Sequence, residues 1–192
     1  MHRRRFIILL ALSVLGLSVD LSPAAEAPQP AKRPLEAGDV APPIVALIAS
    51  GSAIQEKPWD GKYVLLHFWS LGNASTARTM EQLRQLRKQF ANDDRFRMIS
   101  VCMDEDWDAW IRFQNRQGEV DYGDPRGKFR FFEDHKWWQV SQVTDVVVTS
   151  ESYGVKEKSE FFLIDPEGRL RAVRIPAEKL RESITAALKR DP

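Results

Sequence analysis

Between Lys62 and Leu83 the chain reads KYVLLHFWSLGNASTARTMEQL: an apolar run, then small and polar residues, then apolar residues at helical spacing. The run Tyr63 to Trp69 predicts a strand apolar on both faces, as a strand covered on each side must be, and only His67 interrupts it. Met80, Leu83, Leu86 and Phe90 then recur every three or four residues, which predicts a helix from about Asn73–Ser75 to Phe90 with Arg78, Arg84, Arg87 and Lys88 outside. Phe96 to Cys102 reads as a neighbouring parallel strand. Asp104-Glu105-Asp106 reads as the cap and acidic first turn of a second helix, which runs to about Arg116 and buries Trp107, Trp110 and Ile111. Strand, helix, strand, helix in this order implies an α/β sheet with right-handed crossovers.

The flanks complete the outline. Gly38 to Pro43 leads into Ile44–Ile48 and a turn at Ser50-Gly51-Ser52, which together suggest a short hairpin beside the sheet, and Trp59-Asp60-Gly61-Lys62 is a turn feeding the central strand. From Gly118 to Ser152 the periodicity lapses; the segment is read as an insertion in which Val140, Val143 and Val147 fit either a helix face or a strand. Order returns with Phe161-Phe162-Leu163-Ile164-Asp165, a turn through Gly168 and a returning strand Leu170 to Ile175, a hairpin. Pro176 suits the first turn of a closing helix with Leu180, Ile184, Ala187 and Leu188 inward.

Composition changes the picture at the N-terminus. His2-Arg3-Arg4-Arg5, the apolar Phe6 to Val19 and the small Ala24, Ala25 and Ala27 have the three-part layout of a secretory signal peptide, residues 1–27, partly resembling the twin-arginine type. The apolar run is shorter than the roughly 20 residues of a membrane span; retained, the leader would be a membrane anchor. Residues 28–37 form a Pro-rich and Ala-rich tether, and 38–192 one domain. Export implies a periplasmic or secreted location. The leader contains three arginines, one aspartate and one glutamate, so its removal leaves 25 basic and 25 acidic residues and no net charge. A neutral domain without a basic run lacks the electrostatic footprint of a nucleic-acid binder, which leaves another protein as the expected partner. In a compartment where disulfides persist, the chain carries one cysteine, Cys102, and can form no internal disulfide.

Phe68-Trp69, the loop after it and a helix bearing Met80 and Leu83 resemble the active-site segment of the thioredoxin-like superfamily, in the extracytoplasmic redoxin and thiol-disulfide oxidoreductase branch. Tyr153-Gly154-Val155 and Phe162-Leu163-Ile164-Asp165 with its turn to Gly168 resemble that branch's second half, so the likeness spans about Gly38 to Leu188. It implies a thioredoxin-like α/β fold, a mixed sheet flanked by helices, with the N-terminal hairpin and an insertion before the last hairpin. It also implies where the chemistry would be: the two cysteines of Cys-x-x-Cys fall on Asn73 and Thr76, and the cis-proline facing them falls on Ser159. Disulfide exchange needs a thiolate to attack and a second thiol to resolve the mixed disulfide, and an amide and a hydroxyl supply neither. Asn73 is then read as the helix cap left where the attacking thiol would stand.

The other candidates have plainer readings beside the chemical ones. Cys102, at the end of a buried strand, is a packing thiol or the lone reactive thiol of a redoxin-type oxidoreductase or peroxidase; Asp104, Glu105 and Asp106 oppose the second. His67 is a structural histidine bonded to backbone, or a proton shuttle or ligand. His67 and His135 lack zinc-site spacing, so neither metal nor cofactor is expected. Trp137-Trp138 with Phe129, Phe131 and Phe132 is packing or an apolar patch for a partner. Asn73, Ser75 and Thr76 are capping residues or an anion or peptide site at a helix N-terminus.

Overall fold

The protein is described by a computed structural model covering residues 33–48, 51, 53–56, 61–116, 137–142 and 149–190. The leader, residues 28–32 of the tether, residues 117–136 with Phe129, Phe131, Phe132 and His135, and Val143 and Val147 lie outside the described residues.

The apolar run becomes strand β3, Tyr63–Trp69, each of its seven residues buried. Alternation then decides which side chain meets which layer. Tyr63, Leu65 and Trp69 pack on one face with helix α1 (Thr76–Gln89), helix α2 (Trp107–Arg116) and helix α4 (Leu180–Arg190). Val64, Leu66 and Phe68 pack on the other with Ala41, Ile44 and Tyr153. Strand β4, Phe96–Cys102, lies parallel to β3 in register from Tyr63 opposite Phe96 to Trp69 opposite Cys102. Strand β6, Ser159–Ile164, runs antiparallel on the other side of β3, with Trp69 opposite Ser159.

The first hairpin is β1 (Ile44–Leu47) with β2 (Ala53–Glu56), and it is part of the sheet itself. The span read as an insertion supplies the link: Trp137–Gln142 forms strand β5, parallel to β4 and antiparallel to β1. The insertion is narrowed accordingly, because its last part is a sheet strand; Trp137 and Val140 are buried strand residues, and a short helix, α3, occupies Thr149–Ser152. Thr149 holds α3 against β1 by accepting from Val45 N–H and donating to Val45 O. Among the described residues seven strands run in the order β2-β1-β5-β4-β3-β6-β7, where β7 is Leu170–Ala172.

At the far edge β7 is shorter than expected, Leu170–Ala172, because its pairing to β6 shifts register at Leu163/Ile164 and the backbone turns at Arg174, whose φ is 49°. The turn before it closes as expected, with Gly168 at φ 78°. Pro176 caps a 3-10 turn, Ala177–Lys179, that precedes α4, and Leu180, Ile184, Ala187 and Leu188 are all buried.

Candidate functional site

The three positions at which the resemblance locates chemistry meet at the end of β3. The link between them is built from side chains that already have partners. Asn73 Oδ1 accepts from both Ser75 N–H and Ser75 Oγ–H at 3.0 Å, and its Nδ2 donates to Lys158 O at 3.3 Å, beside Ser159. Asn73 is therefore not the cap of α1, as the sequence suggested. It closes an Asx turn one step earlier and ties the loop to β6, while Ser75 occupies the N-cap position without a side-chain cap bond. Thr76 is buried and donates its hydroxyl to Ser70 O at 2.7 Å. The Ser159 hydroxyl lies 3.3 Å from His67 Nε2, and the described residues contain no cis peptide bond.

The loop Ser70–Ser75 has a second fastening, absent from the sequence reading. Asp104 turns its carboxylate back toward β3 and accepts from Ser70 Oγ at 2.9 Å, Leu71 N–H at 2.6 Å and the Cys102 thiol at 3.3 Å. It does not cap α2; Asp106 does, accepting from Ala109 N–H at 2.8 Å. The only available signal for Asp104 was a carboxylate two residues past a buried strand end, which reads equally as a helix start.

Cys102 is wholly buried. Burial above all, with the Asp104 carboxylate adding to it, pushes the thiol's pKa far up, so it stays protonated and unreactive. His67 is also buried, stacked on Phe161 with ring centroids 4.4 Å apart. Its partners are hydroxyls rather than the backbone groups expected from the sequence: Ser100 Oγ at 3.3 Å from Nδ1, and Ser159 Oγ from Nε2. Trp137 Nε1–H donates to the same Ser100 oxygen at 2.9 Å. Burial lowers the imidazole pKa to about 3, keeping it neutral. Among the described residues no group of three or more His, Cys, Asp or Glu is placed to hold a metal ion, and no helix is long and apolar enough to cross a membrane.

A parallel β3-β4 pair, an antiparallel β6-β7 hairpin and a helix starting at the end of the central strand together define a thioredoxin-type domain. The family model for thioredoxin-like proteins matches residues 61–170, and the chain belongs to that family. It is similar in structure to the thioredoxin domain of a thiol-disulfide oxidoreductase from Bacteroides vulgatus, with 25% identity, a TM-score of 0.61 and coverage of 79% of this chain and 97% of that one. A thiol:disulfide interchange protein from a Bacteroides species shares the fold at 24% identity and TM-score 0.60, over 81% and 91% of the two chains. A thiol-disulfide oxidoreductase from Bacteroides fragilis does so at 20% and 0.60, over 77% and 98%. No curated protein matches the sequence.

Proposed function

We propose that this protein is an exported thioredoxin-like domain that binds another protein without exchanging disulfides. The observation that carries this reading is the bonded state of the altered positions. Asn73 and Thr76 are fixed by hydrogen bonds where two thiols would be needed, and the chain's one thiol is buried beside a carboxylate. The activity in the names of the structural neighbours needs a nucleophile that this chain does not present. Binding needs only the surface around the same loop, which the Asn73 and Asp104 bonds hold rigid. The leader in residues 1–27 supports a periplasmic or secreted location.

Affinity capture with the purified protein tests the reading, using wild type and Cys102→Ser, with and without excess dithiothreitol. Complexes are expected to survive the reductant and to form equally with both. Complexes that dissolve in dithiothreitol or require Cys102 would contradict it and favour the redoxin-type enzyme.

A further inference from the structure

Residues 33–41 lie along the outer edge of β7 and are held there by backbone pairing. Gly38 N–H donates to Leu170 O at 2.7 Å, Leu170 N–H to Asp39 O at 2.8 Å and Ala41 N–H to Gly168 O at 2.9 Å, with Val40 opposite Arg169 in an antiparallel bridge. Arg169 Nη1 donates to Gly38 O at 3.0 Å, and Arg174 Nη1 reaches Leu35 O at 3.5 Å. Among the described residues, every hydrogen bond from this segment to the rest of the chain ends on Gly168, Arg169, Leu170 or Arg174.

The segment also keeps its own shape. Arg33 clasps Asp39 with both terminal guanidinium nitrogens, at 2.9 and 2.6 Å, and Glu36 N–H donates to the same carboxylate at 2.9 Å. It therefore docks as a preformed unit, with little left to order on binding. Pro42-Pro43 joins it to β1. Neither proline has an N–H to commit to a ladder, and Ala41 and Pro42, each preceding a proline, are held extended. The Tyr153 hydroxyl donates to Pro42 O at 2.7 Å and fixes where this linker leaves the body. Two residues before the linker stands Val40, 61% exposed and the one large apolar side chain exposed among the described residues.

We propose that two copies of this chain exchange residues 33–41, each segment pairing with the β7 edge of the other copy. The segment makes the same bonds in the closed monomer and in the exchanged pair, so the two forms are separated by the linker and by concentration. A short, stiff linker favours exchange. Reciprocal exchange brings the two linkers together and, with them, the two Val40 side chains, whose apolar surface is then covered. Residues 28–192 carry 25 basic and 25 acidic side chains, so two copies meet without net repulsion. The exchange goes beyond the protein-binding reading above and does not depend on it.

Disulfide trapping tests it. Val40→Cys and Arg169→Cys, both at exposed positions, are made in separate chains that also carry Cys102→Ser. Opposite residues of an antiparallel pair have Cα atoms about 4.5–5.5 Å apart, within reach of a disulfide. After the two proteins are incubated together at high concentration and oxidised, a disulfide-linked dimer with one chain of each kind is expected. It should be at least tenfold more abundant than when Lys88→Cys, exposed on α1, replaces Arg169→Cys. Combined in one chain with Cys102→Ser and oxidised at low concentration, Val40→Cys and Arg169→Cys are expected to lock the closed monomer. Sedimentation equilibrium should then show wild type rising from one chain toward two over a hundredfold range of concentration, the locked variant staying monomeric, and reductant restoring its dimer. A mixed disulfide no more abundant than in the Lys88 control, a wild type that stays monomeric throughout, or a dimer that persists in the locked variant would overturn the proposal.

Discussion

His67 makes a quantitative case for acid sensitivity. Its imidazole is buried between β4 and β6, stacked on Phe161, and its pKa is lowered to about 3 from an unfolded value of 6.5. Because the folded pKa is the lower one, the unfolded state takes up the proton first. Stability is therefore full above pH 6.5 and lost as pH falls from 6.5 toward 3. Each pH unit in that window costs about 1.4 kcal/mol, so acidification from pH 7 to pH 4.5 removes about 3 kcal/mol through this residue alone. That is a large share of the 5–15 kcal/mol typical of a domain. Urea unfolding followed by tryptophan fluorescence at both pH values, on wild type and on His67→Gln, isolates the effect, because the other titrating groups cancel in the comparison. Wild type is expected to lose about 3 kcal/mol more than the variant. Equal losses in the two proteins would refute the reasoning and imply a histidine that is hydrated or already charged in the fold.

The remaining expectations follow from burial and bonding around the same loop. Asp104→Asn places an amide donor against three donors, and thermal unfolding should show a loss of about 1–3 kcal/mol from the unmet Ser70, Leu71 and Cys102 groups. Leu83→Ala, at a wholly buried position on α1, should cost about 2–5 kcal/mol in chemical denaturation. Cys102 should react with an aromatic disulfide reagent only as fast as the protein opens, so labelling in native buffer is expected to be orders of magnitude slower than in denaturant.

The fold was legible where one physical signal governed each segment. β3 and β4 were readable because strands buried on both faces are largely apolar, interrupted only by His67 in the first and by Arg97 and Ser100 in the second, and α4 because its four inward side chains keep helical spacing. β5 was not, since Trp137–Gln142 interleaves glutamines and a serine with its apolar residues, and these polar groups become acceptable only once partners from distant segments arrive. Ser100 illustrates this: its hydroxyl completes Trp137 and His67 at once, a pairing that β4 and β5 must be side by side to reveal. The candidate site was half legible. Loss of the thiol positions followed from spacing and resemblance, but the role of Asn73 as a tie to Lys158, and of Asp104 as the clamp on the loop, depend on contacts 85 and 33 residues apart in the chain.

The insulin-reduction assay tests the central claim most directly. With dithiothreitol as electron donor, the purified protein is expected to leave the rate of insulin B-chain precipitation at that of dithiothreitol alone, because no described side chain at the end of β3 supplies a thiolate. Acceleration comparable to that given by an ordinary thioredoxin would contradict the account.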